Sequence, residues 1–202
     1  MNTFLKSRIW TTFLVLSLLI VACGGAATEA PVATEAPATE AAPTGPSYTI
    51  IGAVNRDATQ AAQAPFVTVD AQKNLLVVWA ENSSGGVRQI FASQLNGTAF
   101  QPLGSSINIH TNVLADSPTI TVAGENNAVP WVAWSEPSPG FGNVAQVFAS
   151  RFSVETGLWQ QAGTDRGGGE ASLNISTERA GTHPFIFSGS TEIGNQPVPW
   201  VA

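Results

Sequence analysis

Two Trp-x-Glu triplets carry the residues whose types and spacing could do chemistry in this chain: Trp79 with Glu81, and Trp134 with Glu136. Each triplet ends a short apolar run, so both pairs are expected at the ends of corresponding strands. A ring of such carboxylates and indoles could hold a sugar or a cation. The alternative is structural, with the tryptophans in the core of a sheet and the glutamates as solvated turn residues, and the enrichment of aromatic residues in strands favours it.

Other polar residues give weaker indications of chemistry. His110 and His183 stand alone in the sequence, so a metal-binding or general-base role has no support and both are interpreted as loop residues. Residues 165–170, Asp-Arg-Gly-Gly-Gly-Glu, could wrap a cation, although a flexible loop is the commoner structure for such a segment. We therefore expect no catalytic residue, metal or cofactor in this chain.

Cys23 is the one residue to which the sequence assigns a specific chemical role. It is the only cysteine, which excludes an intramolecular disulfide and a thiolate metal cluster. Residues 19–24, Leu-Ile-Val-Ala-Cys-Gly, end a short apolar run and resemble the bacterial lipobox, with isoleucine in place of the more usual leucine. The resemblance implies that residues 1–22 are a signal peptide and that acylated Cys23 anchors the chain in membrane lipid, on the extracytoplasmic face of a cell membrane.

The alternative for this N-terminus is an uncleaved anchor helix with a buried free cysteine. The short apolar run and the polar segment that follows it at once both disfavour that alternative. Loss of residues 1–22 removes two of the eight basic residues and leaves six against 14 acidic ones, a net charge of about −8. A chain this acidic, with no basic cluster, is not expected to bind nucleic acid.

Residues 23–47 form a low-complexity segment of alanine, threonine, glutamate, proline and glycine that follows the signal peptide. The unit Thr-Glu-Ala-Pro recurs in it, and such a composition cannot bury enough apolar surface to offset the entropy of ordering. We interpret this segment as a disordered linker between the lipid anchor and a folded domain over residues 48–202.

The folded domain contains internal repeats. Leu-Val-Val-Trp-Ala-Glu at 76–81 matches Trp-Val-Ala-Trp-Ser-Glu at 131–136, and Gln-Ile-Phe-Ala-Ser at 89–93 matches Gln-Val-Phe-Ala-Ser at 146–150. Short runs of valine, isoleucine, phenylalanine and tryptophan separated by turn residues predict an all-β domain. In the first repeat they predict four strands, near 66–69, 75–80, 88–95 and 100–103. Four short strands in a repeat of this length are typical of a β-propeller blade.

One spacing is the same in three copies. Asparagine is followed ten residues later by proline: Asn55 and Pro65, Asn108 and Pro118, Asn174 and Pro184. We expect the asparagines to form turns by bonding to backbone where one repeat passes to the next. The prolines are expected near the start of the first strand of each repeat, where a missing donor costs little.

The order of these segments from 103 to 151 resembles the blades of bacterial sialidase-like propeller proteins. The resemblance covers roughly residues 54–202, and it implies two full blades plus partial ones in an incomplete ring. The Asp-box pattern of that family is degenerate here, with Leu95 where aspartate is usual. Residues 199–202, Pro-Trp-Val-Ala, match 130–133 and stop before the position of Trp134, so we interpret the chain as truncated or as a fragment of a longer product.

Three functions are compatible with this sequence. The first is a membrane-anchored propeller that binds a glycan or a surface protein, or acts as a scaffold. The second is a fragment of a sialidase-like glycoside hydrolase whose catalytic residues lie outside this chain. Tyr48 is the only tyrosine, and Arg56 lies where that family places its first arginine but lacks the family's surrounding motif. The third is an inactive truncated repeat protein.

Overall fold

The computed structural model describes residues 50–163, 170–190 and 197–202, all of which lie in the unit Tyr48–Ala202. The predicted signal peptide and linker fall outside the described residues. Within these ranges the chain forms three antiparallel sheets, and no α-helix is present. Two short 3₁₀ turns, Glu125–Asn127 and Pro139–Phe141, connect strands of the second sheet.

The first and second sheets have four strands each and the same simple meander order. The first sheet consists of β1 (Ala62–Val69), β2 (Leu75–Asn82), β3 (Arg88–Asn96) and β4 (Ala99–Pro102). The second consists of β5 (Asp116–Ala123), β6 (Val129–Ser138), β7 (Val144–Ser153) and β8 (Leu158–Ala162). The third has two described strands, β9 (Ile186–Ser190) and β10 (Pro197–Val201).

The turns between these strands follow from their residues. Between β1 and β2, the backbone N–H of Asn74 donates to Asp70 Oδ1 at 2.8 Å, and Lys73 has a φ of 66°. An Asp side chain that bonds backbone a few residues further on is a standard way of fixing a turn. Between β3 and β4, Gly97 takes a φ of 64°, which glycine adopts without steric cost.

The predicted fold class is confirmed at the level of an all-β domain built from antiparallel four-stranded sheets. The four strands predicted for the first repeat correspond to β1 through β4, with bounds that differ by a few residues. The described residues form no closed ring of sheets, so the propeller remains a prediction.

The main hydrophobic core lies between the first and second sheets rather than within either one. β2 contributes Leu76 and Val78, and β6 contributes Val132 and Trp134, all at most 1% exposed. β2 is buried over six consecutive residues, so the alternation typical of a half-exposed strand is lost. Each four-stranded sheet is therefore stabilised by packing against its neighbouring sheet.

Neighbouring sheets are also joined by polar contacts along their first strands. Thr119 of β5 accepts the backbone N–H of Ile186 at 3.2 Å and donates to the carbonyl of Pro184 at 3.2 Å. Arg88 of β3 forms an ion pair with Asp116 of β5, with Nη1 and Oδ2 at 2.6 Å. The beginnings of β5 and β9 therefore have fixed positions against the preceding strands.

Each of the three repeated prolines follows a residue with left-handed backbone. The φ angles are 49° at Ala64, 53° at Ser117 and 55° at His183. In β1 and β5 the pairing register shifts at this position, as in a β-bulge. The prolines of β1 and β5 thus lie on sheet-edge strands, at the bulge, where no ladder donor is lost.

Replacing Ala64 by glycine should stabilise the chain, because a left-handed residue with a Cβ is strained and Ala64 is exposed. We expect Ala64→Gly to raise the free energy of unfolding by about 1 kcal/mol, measured by urea denaturation with tryptophan fluorescence. The matched control is Ala62→Gly, at an exposed β1 position without positive φ, which should lower it by roughly 0.5–1 kcal/mol. Equal effects of the two substitutions would contradict this account of the bulge.

Candidate functional site

The two Trp-x-Glu triplets lie near the ends of β2 and β6, where residues two apart share one face of the strand. Trp79 Nε1 donates to Glu81 Oε2 at 2.7 Å, and Trp134 Nε1 donates to Glu136 Oε2 at 2.9 Å. All four residues are at most 1% exposed. The prediction that the tryptophans are sheet core is confirmed. The prediction that the glutamates are solvated turn residues is wrong, because each carboxylate is enclosed beneath a loop that precedes its sheet.

The carboxylate of Glu81 holds the loop that enters the first sheet. Its two oxygens accept the backbone N–H groups of Arg56, at 3.0 Å, and Asp57, at 2.8 Å, in addition to the indole of Trp79. A buried carboxylate is costly unless its oxygens are hydrogen-bonded, and three donors meet that requirement here. The side chain therefore fixes the backbone rather than facing solvent.

Glu136 repeats this arrangement at the second sheet. Its oxygens accept the backbone N–H groups of Ile109, at 3.3 Å, and His110, at 2.9 Å, and the His110 ring lies with Nδ1 3.0 Å from Oε1. Residues 109 and 110 follow Asn108 as residues 56 and 57 follow Asn55. We call each set of a Trp-x-Glu triplet and the loop it holds a carboxylate junction, with loops 55–57 and 108–110.

Asparagine side chains attach loop 108–110, and the equivalent loop after Asn174, to the sheet that precedes each of them. Asn108 Oδ1 accepts the backbone N–H of Ile90 in β3 at 2.7 Å, and Asn174 Oδ1 accepts that of Val147 in β7 at 2.8 Å. The residue before each asparagine also donates its N–H to the carbonyl of that strand residue, at 2.9 Å in both cases. The prediction that the repeated asparagines bond backbone where the repeats meet is confirmed for Asn108 and Asn174, whereas Asn55 Nδ2 donates to the carbonyl of Gln60 at 3.4 Å, within its own loop. Loop 108–110 therefore has one sheet on either side.

A chain of polar side chains extends from the second junction. His110 Nε2 lies 2.9 Å from Glu170 Oε1, while Nδ1 contacts Glu136, and the other oxygen of Glu170 accepts the hydroxyl of Ser138. Desolvation by burial raises the pKa of Glu136, and hydrogen bonds from Trp134 and His110 act in the opposite direction. The His110 ring thus bridges two buried carboxyl groups that come from different parts of the chain.

Sequence reasoning placed His110 in a loop and assigned it no partner, and it did not single out Ser138. Glu170 entered only as the last residue of a glycine-rich segment, of which residues 164–169 lie outside the described structure. Glu136 and Ser138 are two apart in β6 and so share a face. No spacing in the sequence links them to positions 110 and 170, so the meeting of all four depends on how the sheets pack. Ser138 has no exposed surface, so a substrate could not reach its hydroxyl.

Arg56, which lies where the sialidase-like family places its first arginine, contacts other residues of this chain. Its Nη2 donates to the carbonyl of Gly104 at 2.6 Å, and its guanidinium lies 4.8 Å from the centre of the Phe91 ring. Partial burial lowers the pKa of Arg56, and Glu81 acts against that shift. Tyr48 lies outside the described residues.

Cys23, the predicted lipidation site, also lies outside the described residues. No helix in the described ranges has the length and hydropathy needed to cross a membrane. Those ranges also contain no group of three or more histidine, cysteine, aspartate or glutamate side chains that could hold a metal ion. The candidate ligand-binding residues Trp79, Glu81, Trp134 and Glu136 form two separate buried pairs, one in each junction.

Comparisons of the chain with protein-family models, with curated proteins and with solved structures return no match.

Removing the junction carboxylate should destabilise the domain strongly. Glu81→Ala leaves the indole of Trp79 and the N–H groups of Arg56 and Asp57 without their acceptor, so we expect a loss of roughly 3 kcal/mol in the free energy of unfolding. Glu155→Ala, at an exposed turn position, is the matched control and should change it by less than about 0.5 kcal/mol. Urea denaturation measures both, and similar small effects would show that the carboxylate has no structural role.

Proposed function

We propose that this chain is a lipid-anchored extracytoplasmic protein that presents propeller-type β-sheets as a binding or scaffolding module for a glycan or a protein partner. The proposal rests on the hydrogen bonds that the repeated polar residues form. The tryptophans, glutamates and asparagines that recur between repeats hold loops and sheets together. Residues that recur in order to join units are typical of an architecture built by stacking.

An exposed group of aromatic side chains supports a binding role. Phe185, Phe187 and Trp200 are 49%, 43% and 50% exposed. Phe187 and Trp200 are register partners, and Phe185 is two residues from Phe187, so the three rings share one face of the β9–β10 sheet. We call this group the aromatic face. The rings of Phe185 and Phe187 stack, with centroids 6.2 Å apart and an interplanar angle of 25°.

Exposed aromatic rings of this kind suit a partner with both apolar and polar surface. Their flat apolar area contributes binding energy, and the tryptophan indole adds a hydrogen-bond donor. Glycans and protein surfaces both fit this description, in agreement with the two partner classes expected from the sequence. Membrane attachment through Cys23 would present the face outside the cytoplasm, at the end of the linker over residues 23–47.

Anchoring depends on one atom, the sulfur of Cys23. Cys23→Ala should abolish incorporation of radiolabelled palmitate in a bacterial host, and should move the chain out of the detergent-extracted membrane fraction, because no thiol remains to be acylated. Thr28→Ala, in the linker, is the control and should leave labelling unchanged. Labelling that persists in Cys23→Ala would exclude the proposed anchor.

Binding through the aromatic face can be tested on a glycan array and against surface proteins of the host. Trp200→Ala should weaken binding of any partner found by at least about tenfold, since an exposed aromatic anchor commonly contributes 2 kcal/mol or more. Leu158→Ala, at an exposed apolar position in β8, is the control for loss of apolar area elsewhere. Equal affinity of the Trp200→Ala variant and the unchanged chain would rule out this face as the binding surface.

A further inference from the structure

A large cavity lies against the second sheet, on the side away from the first. Its volume is about 1010 Å³, and its walls include Trp131, Val147, Ala149, Leu173 and Ile186. These side chains belong to or surround the smaller of the two core clusters, whose fully buried members are Ala133, Ala149 and Ile186. The cavity thus lies where the second and third sheets face each other.

The first sheet shows what occupies the corresponding space one repeat earlier. Leu76, Ile90 and Ile107 are there the equivalents of Trp131, Val147 and Leu173, and they pack in a closed core against Trp134 and Phe148 of the second sheet. Trp134 and Phe148 are both fully buried, with ring centroids 6.0 Å apart. The same wall of apolar side chains is therefore covered at the first interface and open at the second.

The loop that follows Asn174 at this cavity has the backbone of a carboxylate junction but not its glutamate. Asn174 attaches its loop to β7 as Asn108 attaches its loop to β3. Ile175 and Ser176 then correspond to Ile109 and His110, whose N–H groups Glu136 accepts. Among the residues that the structure describes, the N–H groups of Ile175 and Ser176 donate no hydrogen bond. Both residues line the cavity.

We propose that this cavity is the binding site for a Trp-x-Glu strand of a further repeat unit, in line with β10. The indole would cover the apolar wall, and the carboxylate would accept the N–H groups of Ile175 and Ser176. Trp200 of the aromatic face also lines the cavity, but this inference needs neither the acylation of Cys23 nor a partner at that face.

The register of β10 shows where such a strand would lie. Ala202 and Phe185 exchange backbone hydrogen bonds at 2.9 and 3.0 Å, so pairing with the β9 side extends to Ala202. Ala202 is the equivalent of Ala133, and the next residue of β6 is Trp134. A tryptophan directly after Ala202 would point to the face on which Val201 packs against the cavity wall.

A second copy of the chain is a poorer fit. Glu81 and Glu136 are the carboxylates of the described Trp-x-Glu triplets, and each already accepts two backbone N–H groups within its own chain. A second copy would have to break one of these junctions to form another. The occupant must therefore bring a triplet that is not yet engaged.

The test is to extend the full chain after Ala202 with a copy of residues 134–162, which completes a four-stranded third unit. Amide hydrogen exchange, followed by NMR, should slow at Ile175 and Ser176 by roughly tenfold or more relative to the chain without the extension, because bonds to a buried carboxylate must open first. The matched variant carries Glu136→Ala in the appended copy only, and should lose that protection.

Equal exchange at both amides with and without the extension would overturn the proposal, as would equal protection by the Glu136→Ala extension. Should the extended chain aggregate, a synthetic peptide of residues 134–153 replaces it. Saturable shifts of the Ile175 and Ser176 amides, weakened by the Glu136→Ala peptide, would support the proposal, and their absence would refute it. Protection that instead rises with the concentration of the unextended chain would identify a second copy as the occupant and refute it too.

Discussion

The buried glutamate carboxylate is the interaction on which the rest of the described structure depends. A charged group at most 1% exposed would be strongly destabilising without donors. Here an indole from the same strand and two backbone N–H groups from the incoming loop supply them. The loop N–H groups have no partner in a sheet. The carboxylate therefore supplies the acceptor that they need, and they supply the donors that the carboxylate needs. Loss of either one leaves unpaired polar groups in a core between sheets.

Placement of the loop then decides how the sheets pack. Asn108 attaches loop 108–110 to β3, and Glu136 attaches it to β6, so the loop fixes the distance between the first and second sheets. With that distance set, Trp134 and Phe148 meet the apolar face of the first sheet in a closed core. The constant spacing from asparagine to proline follows, because the same stretch of chain must run from the loop to the bulge that opens the next sheet.

The sequence predicted several elements well because they depend on local residue patterns. The existence and order of β1 through β4 follow from short apolar runs with turn residues between them. The tryptophans were predicted as core for the same reason. The exposure of the glutamates was predicted wrongly, since a carboxylate at the end of a strand has the pattern of a solvated residue whatever covers it. The grouping of His110 with Glu170 could not be predicted, because the two positions are 60 residues apart and belong to no shared pattern.

The sequence by itself determined the all-β class, the repeat unit and the pairing of each tryptophan with a glutamate two residues on, because residues two apart in a strand necessarily share a face. Only the tertiary structure decided what those pairs do. Whether a carboxylate faces water or a backbone loop depends on the neighbouring sheet, and sheet packing is set by contacts between residues far apart in the chain. The cavity beside Trp131 is decided at the same level, because its walls come from the second and third sheets, which lie far apart in the sequence.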